Sequence, residues 1–200
     1  MSGFPPPLTD ASPGLRAARV SARPECRPGP GPSVGPGPAR VSGGRYGVRR
    51  YGRPVTASGE ERPALLVSAC LLGTRCNHEA AHSRRPQVEA LGATYRLIPV
   101  CPEACGGLPT PRPAAEITGD RVTNAEGEDV TDAYARGARA AVDLARATGA
   151  RRAVLKARSP SCGSAQIYDG TFSRTLRPGA GVTAAALRAA GVEVASEEDV

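Results

Sequence analysis

The sequence predicts an α/β fold: a small, doubly wound parallel sheet with flanking helices, preceded by a disordered N-terminal extension. Three observations support this prediction. Short apolar runs rich in β-forming residues recur along residues 63–200, helical periodicity fills the intervals between them, and residues 1–62 have neither pattern. Strands that alternate with helices imply a parallel sheet with helices packed on its faces. We therefore expect a single domain over residues 63–200.

Four apolar runs predict the strands of this sheet. Residues 64–69 and 95–100 are short, rich in β-formers and bounded by Gly or Pro. Residues 152–156 form a third run, and residues 192–195 form a fourth near the end of the chain. Their length of four to six residues is typical of buried strands.

Three segments between the strands have the periodicity of helices. The longest runs from residue 132 to 148, where apolar residues recur at spacings of three and four and Gly149 marks the end. Its apolar face is mostly alanine, so we expect it to lie close to the sheet. Shorter helices are predicted over residues 183–190 and 86–91.

The predicted extension has a different composition from the domain. Residues 1–63 contain 12 of the 20 prolines, and they carry ten arginines against four acidic residues. Such a segment cannot bury enough apolar surface to offset the entropy of ordering it, so we expect residues 1–62 to be disordered. The remaining residues carry 16 basic and 15 acidic groups, and the basic pI of about 9.5 therefore arises from the extension. We interpret it as a solvated segment rather than as a nucleic-acid-binding arm.

Composition also bears on the compartment. No segment has the roughly 20 consecutive apolar residues that a membrane span requires, and the N-terminus lacks the apolar core of a signal peptide. We therefore expect a cytoplasmic protein. Cysteines are usually reduced there, so clustered thiols favour a metal site or catalysis over disulfides.

Three cysteines follow three of the predicted strands. Cys70, Cys101 and Cys162 come just after the first, second and third runs. The carboxyl ends of parallel strands meet at one crevice, where ligands bind in such sheets. A lone cysteine there is more often a small buried hydrophobic residue, but three at equivalent positions indicate a shared site. Three thiolates make an incomplete metal site, which leaves a position open for chemistry.

Zinc is an alternative that the spacing leaves open. Cys76 lies close to His78 and His82, and Cys101 lies close to Cys105. Neither arrangement repeats the paired spacing of a zinc ribbon, so this signal is weak. A non-catalytic zinc-binding or interaction module stays open, as do the roles of Cys76, Cys105 and His78.

Several sequence blocks are more specific than the strand pattern. They are VSACLLG at 67–73, PVCPE at 99–103, GGLPTPRP at 106–113, EI at 116–117, LK at 155–156, SPSCG at 159–163 and IYDGTFS at 167–173. In this order they resemble a bacterial family long catalogued as a domain of unknown function, whose characterised relatives are thiouracil desulfidases. The resemblance covers residues 64–199.

The resemblance implies a [4Fe–4S] cluster held by Cys70, Cys101 and Cys162. Its fourth iron would be free to bind the sulfur of a thiolated nucleobase or a similar small thiocarbonyl compound. Thiolates suit iron–sulfur clusters, and an iron without a protein ligand is a Lewis acid with affinity for sulfur. Water could then attack the thiocarbonyl carbon without net electron transfer. The expected activity is that of a non-redox, hydrolase-like desulfidase.

Two carboxylates are candidates for the base that takes the proton of this water. Glu103 is the first choice because it lies two residues after a proposed ligand, and Glu116 is the second. Either could instead pair with Arg112 or cap a helix. Ser159 and Ser161 could orient substrate or donate hydrogen bonds to cluster sulfurs, although Ser159 could equally shape the turn.

The chain departs from the family pattern in one segment. An Arg-Tyr-Asp-Gly-Gly-His type segment is replaced by NHEAAH at residues 77–82, which retains only the final histidine, His82. Substrate contacts made there would change, so the exact thiolated substrate stays open. A sulfur-transfer or tRNA-modifying enzyme is a further alternative, but the nearly neutral domain offers little attraction for the phosphates of a nucleic acid.

Overall fold

The computed structural model describes residues 61–200, and four parallel strands form its main sheet. These strands coincide with the four apolar runs of the sequence. They are β1 (Ala64–Ser68), β2 (Arg96–Val100), β5 (Arg152–Leu155) and β8 (Glu193–Ser196). The predicted α/β fold with a parallel sheet is confirmed. The predicted extension lies, apart from its last two residues, outside the described part of the chain.

The strand order of the sheet, β2-β1-β5-β8, fixes where a site can form. The chain leaves β1 for β2 at one edge and then crosses back to β5 on the other side of β1. This reversal is a topological switch point, which opens a crevice at the carboxyl ends of β1 and β5. All five residues of β1 are buried because the strand is central. Pro99, which has no N–H to donate, lies in the edge strand β2.

Helices cover both faces of the sheet. They are α1 (Pro86–Ala90), α2 (Pro102–Cys105), α3 (Thr131–Thr148) and α4 (Val182–Ala189). Leu66 and Leu155 pack with the buried alanines of α3 and with Leu187 of α4, whereas Leu65 packs on the opposite face with Val88 of α1. As predicted, α3 ends at Gly149, whose φ of 71° is in the left-handed region. None of the helices in residues 61–200 combines the length and apolar character that a bilayer crossing requires.

Two short antiparallel hairpins accompany the main sheet, and the sequence indicates only the second, through the hairpin turn that YDGT at residues 168–171 predicts. The first consists of β3 (Ala115–Thr118) and β4 (Arg121–Asn124), and the second of β6 (Gln166–Tyr168) and β7 (Leu176–Pro178). Glu116 of the first hairpin accepts hydrogen bonds from the backbone of the loop in the second, at Gly170 and Phe172. Each hairpin is inserted after a strand of the main sheet, and together they wall the carboxyl edge.

Glycines allow α2 to lie directly against α3. A Cβ atom on Gly106 would lie 2.0 Å from the carbonyl oxygen of Ala133, and one on Gly137 would lie 2.0 Å from that of Pro102. Neither glycine has a positive φ, so space and not backbone conformation requires glycine here. This contact fixes the position of α2, the helix that carries Glu103.

We predict that Gly137→Ala destabilises the protein by about 1–3 kcal/mol, the usual cost of overpacking. A loss of stability would be informative, because replacing glycine by alanine normally stabilises a helix interior by roughly 1 kcal/mol. The free energy of unfolding is measured by denaturant titration. Gly92→Ala is the matched control, because its Cβ would meet only the side chain of Leu97, at 3.6 Å. Equal stability of the two variants would contradict the tight contact between α2 and α3.

Candidate active site

The structure brings the three strand-end cysteines to one cavity. Cys70, Cys101 and Cys162 line a cavity of about 490 Å³ at the carboxyl edge of β1, β2 and β5. All three side chains are buried, and all are free thiols. The position of a residue at a strand end therefore predicted this convergence correctly.

Local backbone geometry holds two of these cysteines in place. Cys70 lies in a 3-10 turn after β1 that ends at Gly73, whose φ of 89° requires glycine and whose N–H donates to the Cys70 carbonyl at 3.3 Å. Cys101 caps α2 and is followed by Pro102, which cannot continue the ladder of β2 but suits the first position of a helix. Both strands therefore stop where their cysteine enters the cavity.

Cys76, a fourth cysteine, also lines the cavity. Its thiol is hydrogen-bonded to both Cys70 and Cys101, which raises the pKa of Cys76. The same hydrogen bonds lower the pKa of Cys70 and lower that of Cys101 to about 7. Burial raises the pKa of Cys162, and a hydrogen bond from Ser68 partly offsets this rise. The hydrogen bonds from Cys76 thus favour the thiolate forms of both Cys70 and Cys101.

The donor set at the cavity fits an iron–sulfur cluster. In residues 61–200, no group of three or more His, Cys, Asp or Glu side chains is arranged to hold a single metal ion. The thiolates of a four-iron cluster bind different iron atoms, so they do not have to converge on one point. The cavity holds three buried strand-end thiols and a fourth buried thiol, that of Cys76; ligation by the three strand-end thiols would leave one iron of a four-iron cluster open.

Glu103 lies on the cavity wall in an ion pair with Arg112. Its Oε2 accepts a hydrogen bond from Arg112 Nε at 2.7 Å, and both side chains are largely buried. Arg112 also donates to the carbonyl of Cys76 at 3.0 Å. Tyr134, whose phenol pKa is raised by burial, is hydrogen-bonded to Glu103 as well. From the sequence, an ion pair between Glu103 and Arg112 was one open alternative. The structure contains this ion pair, and it holds the carboxylate at the cavity.

The two predicted serines have different surroundings. Ser159 lines the cavity, where its hydroxyl donates to Glu103 Oε1 at 3.5 Å and accepts the backbone N–H of Cys162 at 3.1 Å. Ser159 thus shapes the turn and also faces the candidate base. Ser161, contrary to expectation, does not line the cavity. It is fully buried and its hydroxyl pairs with that of Thr183 in α4 at 2.9 Å, because the tight loop turns it away from the crevice.

Glu116, the second candidate base, is committed to the backbone of a loop. Its Oε2 accepts the N–H groups of Gly170 at 2.9 Å and Phe172 at 3.0 Å. Phe172 and Arg174 in this loop line the cavity with positive φ angles of 58° and 64°. Such strained conformations persist where surrounding contacts enforce them, and they cluster at functional sites.

An ion pair that was not predicted from the sequence lies at the same edge. Lys156 lines the cavity, and its ammonium donates to Glu197 Oε1 at 2.6 Å. Glu197 is only 1% exposed and also accepts the N–H of Ala157 at 2.6 Å. Both residues come immediately after a strand, Lys156 after β5 and Glu197 after β8. The strand-end rule that selected the cysteines could have found them.

Residues 77–82, which depart from the family pattern, border the cavity through Asn77 and His78. The Asn77 side chain accepts the N–H of Ala81 at 2.6 Å, which closes the segment into a tight loop. Cys105 does not line the cavity and packs on the core beside α3. One part of the cavity wall, at Asn77 and His78, therefore belongs to the segment in which the substrate contacts are expected to change.

Comparisons with known proteins cover the same region. The model of the 2-thiouracil desulfurase family matches residues 65–199. The uncharacterized protein YbbK of Bacillus subtilis is 42% identical over 146 residues, which span 68% of this chain and 97% of that protein. A solved structure of the [4Fe-4S]-dependent thiouracil desulfidase TudS matches with a TM-score of 0.66 and 44% identity, over 70% of this chain and 93% of the other.

Proposed function

This chain belongs to the 2-thiouracil desulfurase family, and from that premise we propose that it is a [4Fe–4S]-dependent desulfidase. Its proposed substrate is a thiolated nucleobase or a similar small thiocarbonyl compound. One observation carries the proposal: cysteines from three separate strand ends line a single cavity, in a chain 44% identical to a [4Fe-4S]-dependent thiouracil desulfidase. The proposed ligands are Cys70, Cys101 and Cys162.

The proposed reaction exchanges sulfur for oxygen at one carbon. A carbon–oxygen bond to water forms, the carbon–sulfur bond breaks, and sulfur leaves as hydrogen sulfide with the two protons of the water. No atom changes its oxidation state, so neither an oxidant nor a reductant is consumed. When bound, a cluster with three cysteine ligands supplies an iron that acts as a Lewis acid toward sulfur.

The chain's own residues supply the proton transfer. We assign Glu103 as the base that accepts a proton from the attacking water, because its carboxylate lies on the cavity wall two residues after a proposed ligand. The ion pair with Arg112, at 2.7 Å, holds this carboxylate in position. Ser159 contacts the other carboxylate oxygen at 3.5 Å and orients the water or the substrate.

Three features support a small, planar substrate with a polarised thiocarbonyl group. A cavity of about 490 Å³ is of the size that small molecules occupy. Lys156 brings an ammonium group to it, held by the buried Glu197 at 2.6 Å. A fixed positive charge stabilises negative charge that develops on the departing sulfur. The aromatic rings of Tyr168 and Phe172 offer surfaces for a planar base.

The test begins with metal analysis of the full chain, purified and reconstituted without oxygen. We expect about four irons and four labile sulfides per chain, with no zinc. The loaded protein is then given 2-thiouracil, and sulfide and uracil are quantified without added reductant. Equal amounts of the two products support the proposal. One bound zinc in place of iron would instead indicate a zinc-binding module, and a requirement for reductant would exclude the non-redox reaction.

A further inference from the structure

Phe172 is the most exposed aromatic residue of the cavity. Of the large apolar side chains in residues 61–200, only Phe172 and Leu176 are exposed, at 41% and 36%. Both belong to the second hairpin, but Phe172 lines the cavity and Leu176 does not. Of the other aromatic residues at the cavity, Tyr134 is buried and Tyr168 is partly buried within β6. A ring that only packed beneath the turn would be buried, so Phe172 has a different role.

The backbone at Phe172 is in an unfavourable conformation that Glu116 holds. The φ angle of Phe172 is 58°, in the left-handed region that a bulky side chain rarely adopts. Glu116 is only 7% exposed, and its Oε2 accepts the N–H groups of Gly170 at 2.9 Å and Phe172 at 3.0 Å. A strained residue persists where its surroundings enforce the conformation. The buried carboxylate therefore fixes the backbone from which the ring projects.

Further contacts fix the loop that precedes Phe172. A Cβ atom on Gly170, whose φ is 95°, would lie 2.8 Å from the carbonyl oxygen of Ile117, so glycine is required where the two hairpins meet. Thr118 Oγ1 donates to the Gly170 carbonyl at 3.3 Å. Within the loop, Asp169 Oδ1 accepts the N–H of Thr171 at 3.0 Å and its hydroxyl at 2.6 Å. A preorganised loop loses little conformational entropy when a ligand binds to it.

A ring held in place at the cavity distinguishes ligands by their shape. Aromatic rings stack on planar heterocycles through their π faces, whereas a saturated ring or an open chain has no such face. Glu103 and Lys156, on the same cavity wall, meet polar atoms, which planar and puckered rings carry alike. Phe172 is therefore the group placed to select a planar ring.

We propose that Phe172 is a specificity-determining residue that stacks on the substrate ring and selects planar, aromatic thiocarbonyl compounds. Glu116 is the positioning residue of its loop, and it acts on the substrate through Phe172. This inference rests on the proposed function and narrows its substrate class. It also explains why a buried carboxylate maintains a strained backbone at the cavity.

The test compares 2-thiouracil with 5,6-dihydro-2-thiouracil, which carries the same thiocarbonyl group between two N–H groups but has a puckered, partly saturated ring. The kcat/KM for sulfide release is measured for both compounds on the reconstituted full chain. The ratio of the two values is the readout, because partial loss of the cluster cancels in it. Phe172→Leu keeps an apolar side chain and the same backbone strain but has no π face. We expect the ratio to fall roughly 5- to 100-fold, the range that base–aromatic stacking spans, and Phe172→Tyr to restore it.

Leu176→Ala is the matched control, because Leu176 is the other exposed apolar residue of this hairpin and does not line the cavity. It should leave the ratio unchanged. An unchanged ratio in Phe172→Leu, or an equal fall in Leu176→Ala, would overturn the inference. The two levels of argument fail separately. A wild type that releases no sulfide from 2-thiouracil removes the proposed function, whereas an active wild type whose ratio persists in Phe172→Leu removes only the role of Phe172.

A second measurement tests the same contact without turnover. The Kd of the full chain for uracil, which has the planar ring but no sulfur, is determined by ligand-observed NMR titration. The Kd should rise in Phe172→Leu and in Glu116→Ala, which removes the acceptor of the Phe172 N–H group. Glu116→Gln should restore binding, because its amide oxygen can still accept this hydrogen bond. Equal Kd values for the wild type and Phe172→Leu would contradict stacking.

Discussion

Cys162→Ala is expected to abolish both cluster binding and sulfide release. Cys162 is the proposed ligand that follows β5, whereas Cys70 and Cys101 follow β1 and β2 and cannot replace it there. Without it, a second iron has no protein ligand, and the cluster is no longer attached to the loop after β5. Iron and labile sulfide per chain are measured after reconstitution without oxygen, and sulfide release from 2-thiouracil is followed on the same samples.

Cys76→Ala is the matched control for this experiment. Cys76 is a buried free thiol at the same cavity, hydrogen-bonded to two proposed ligands but not itself assigned as one. We expect it to retain the cluster and most of the activity. Full retention of iron by Cys162→Ala would show that the ligand set is wrong. If Cys76→Ala lost its iron as completely as Cys162→Ala, Cys76 would have to be counted as a ligand.

Glu103→Gln is expected to lower kcat by about 10²- to 10⁴-fold, the usual contribution of a positioned general base. Glutamine has nearly the same shape, and its amide oxygen can still accept the hydrogen bond from Arg112 that the carboxylate accepts at 2.7 Å. It cannot take up a proton from water. Steady-state sulfide release is measured on protein whose iron content equals that of the wild type, so that cluster loss does not imitate a catalytic defect.

Glu116→Gln separates the general base from a carboxylate that only supports the site. Glu116 lines the same cavity, but it accepts backbone N–H groups of Gly170 and Phe172, and an amide oxygen can still do so. We expect kcat to change far less than in Glu103→Gln. Full activity of a loaded Glu103→Gln would remove Glu103 from the mechanism, and a larger loss in Glu116→Gln would transfer the role to Glu116.

The main sheet could be predicted because its strands carry their signal locally. Leu65 and Leu66 are both fully buried, on opposite faces, so a continuous apolar run marks the central strand β1. The helix α3 combines regular alanine spacing with a terminal glycine, Gly149. Cys70, Cys101 and Cys162 could be placed together because parallel topology alone brings strand ends to one edge.

The remaining features depend on contacts between distant residues. The hairpins have strands of three or four residues with little alternation, and Glu116 joins them across more than fifty positions of sequence. Ser161 and Ser159 are alike in the sequence, but only the folded loop decides that one faces Thr183 and the other Glu103. Neither strand propensity nor spacing carries this information.

The arrangement of the proposed ligands links cofactor supply to folding. Cys70, Cys101 and Cys162 belong to strand ends that are far apart in the sequence and that meet only in the native sheet. A group bound to all three cross-links the chain and binds the native state in preference to the unfolded one. Its binding free energy therefore adds to the stability of the sheet. A chain that lost its cluster would then be less stable, and fewer molecules would keep the native sheet that binds a new cluster. The amount of folded protein would therefore depend on the supply of iron and sulfide.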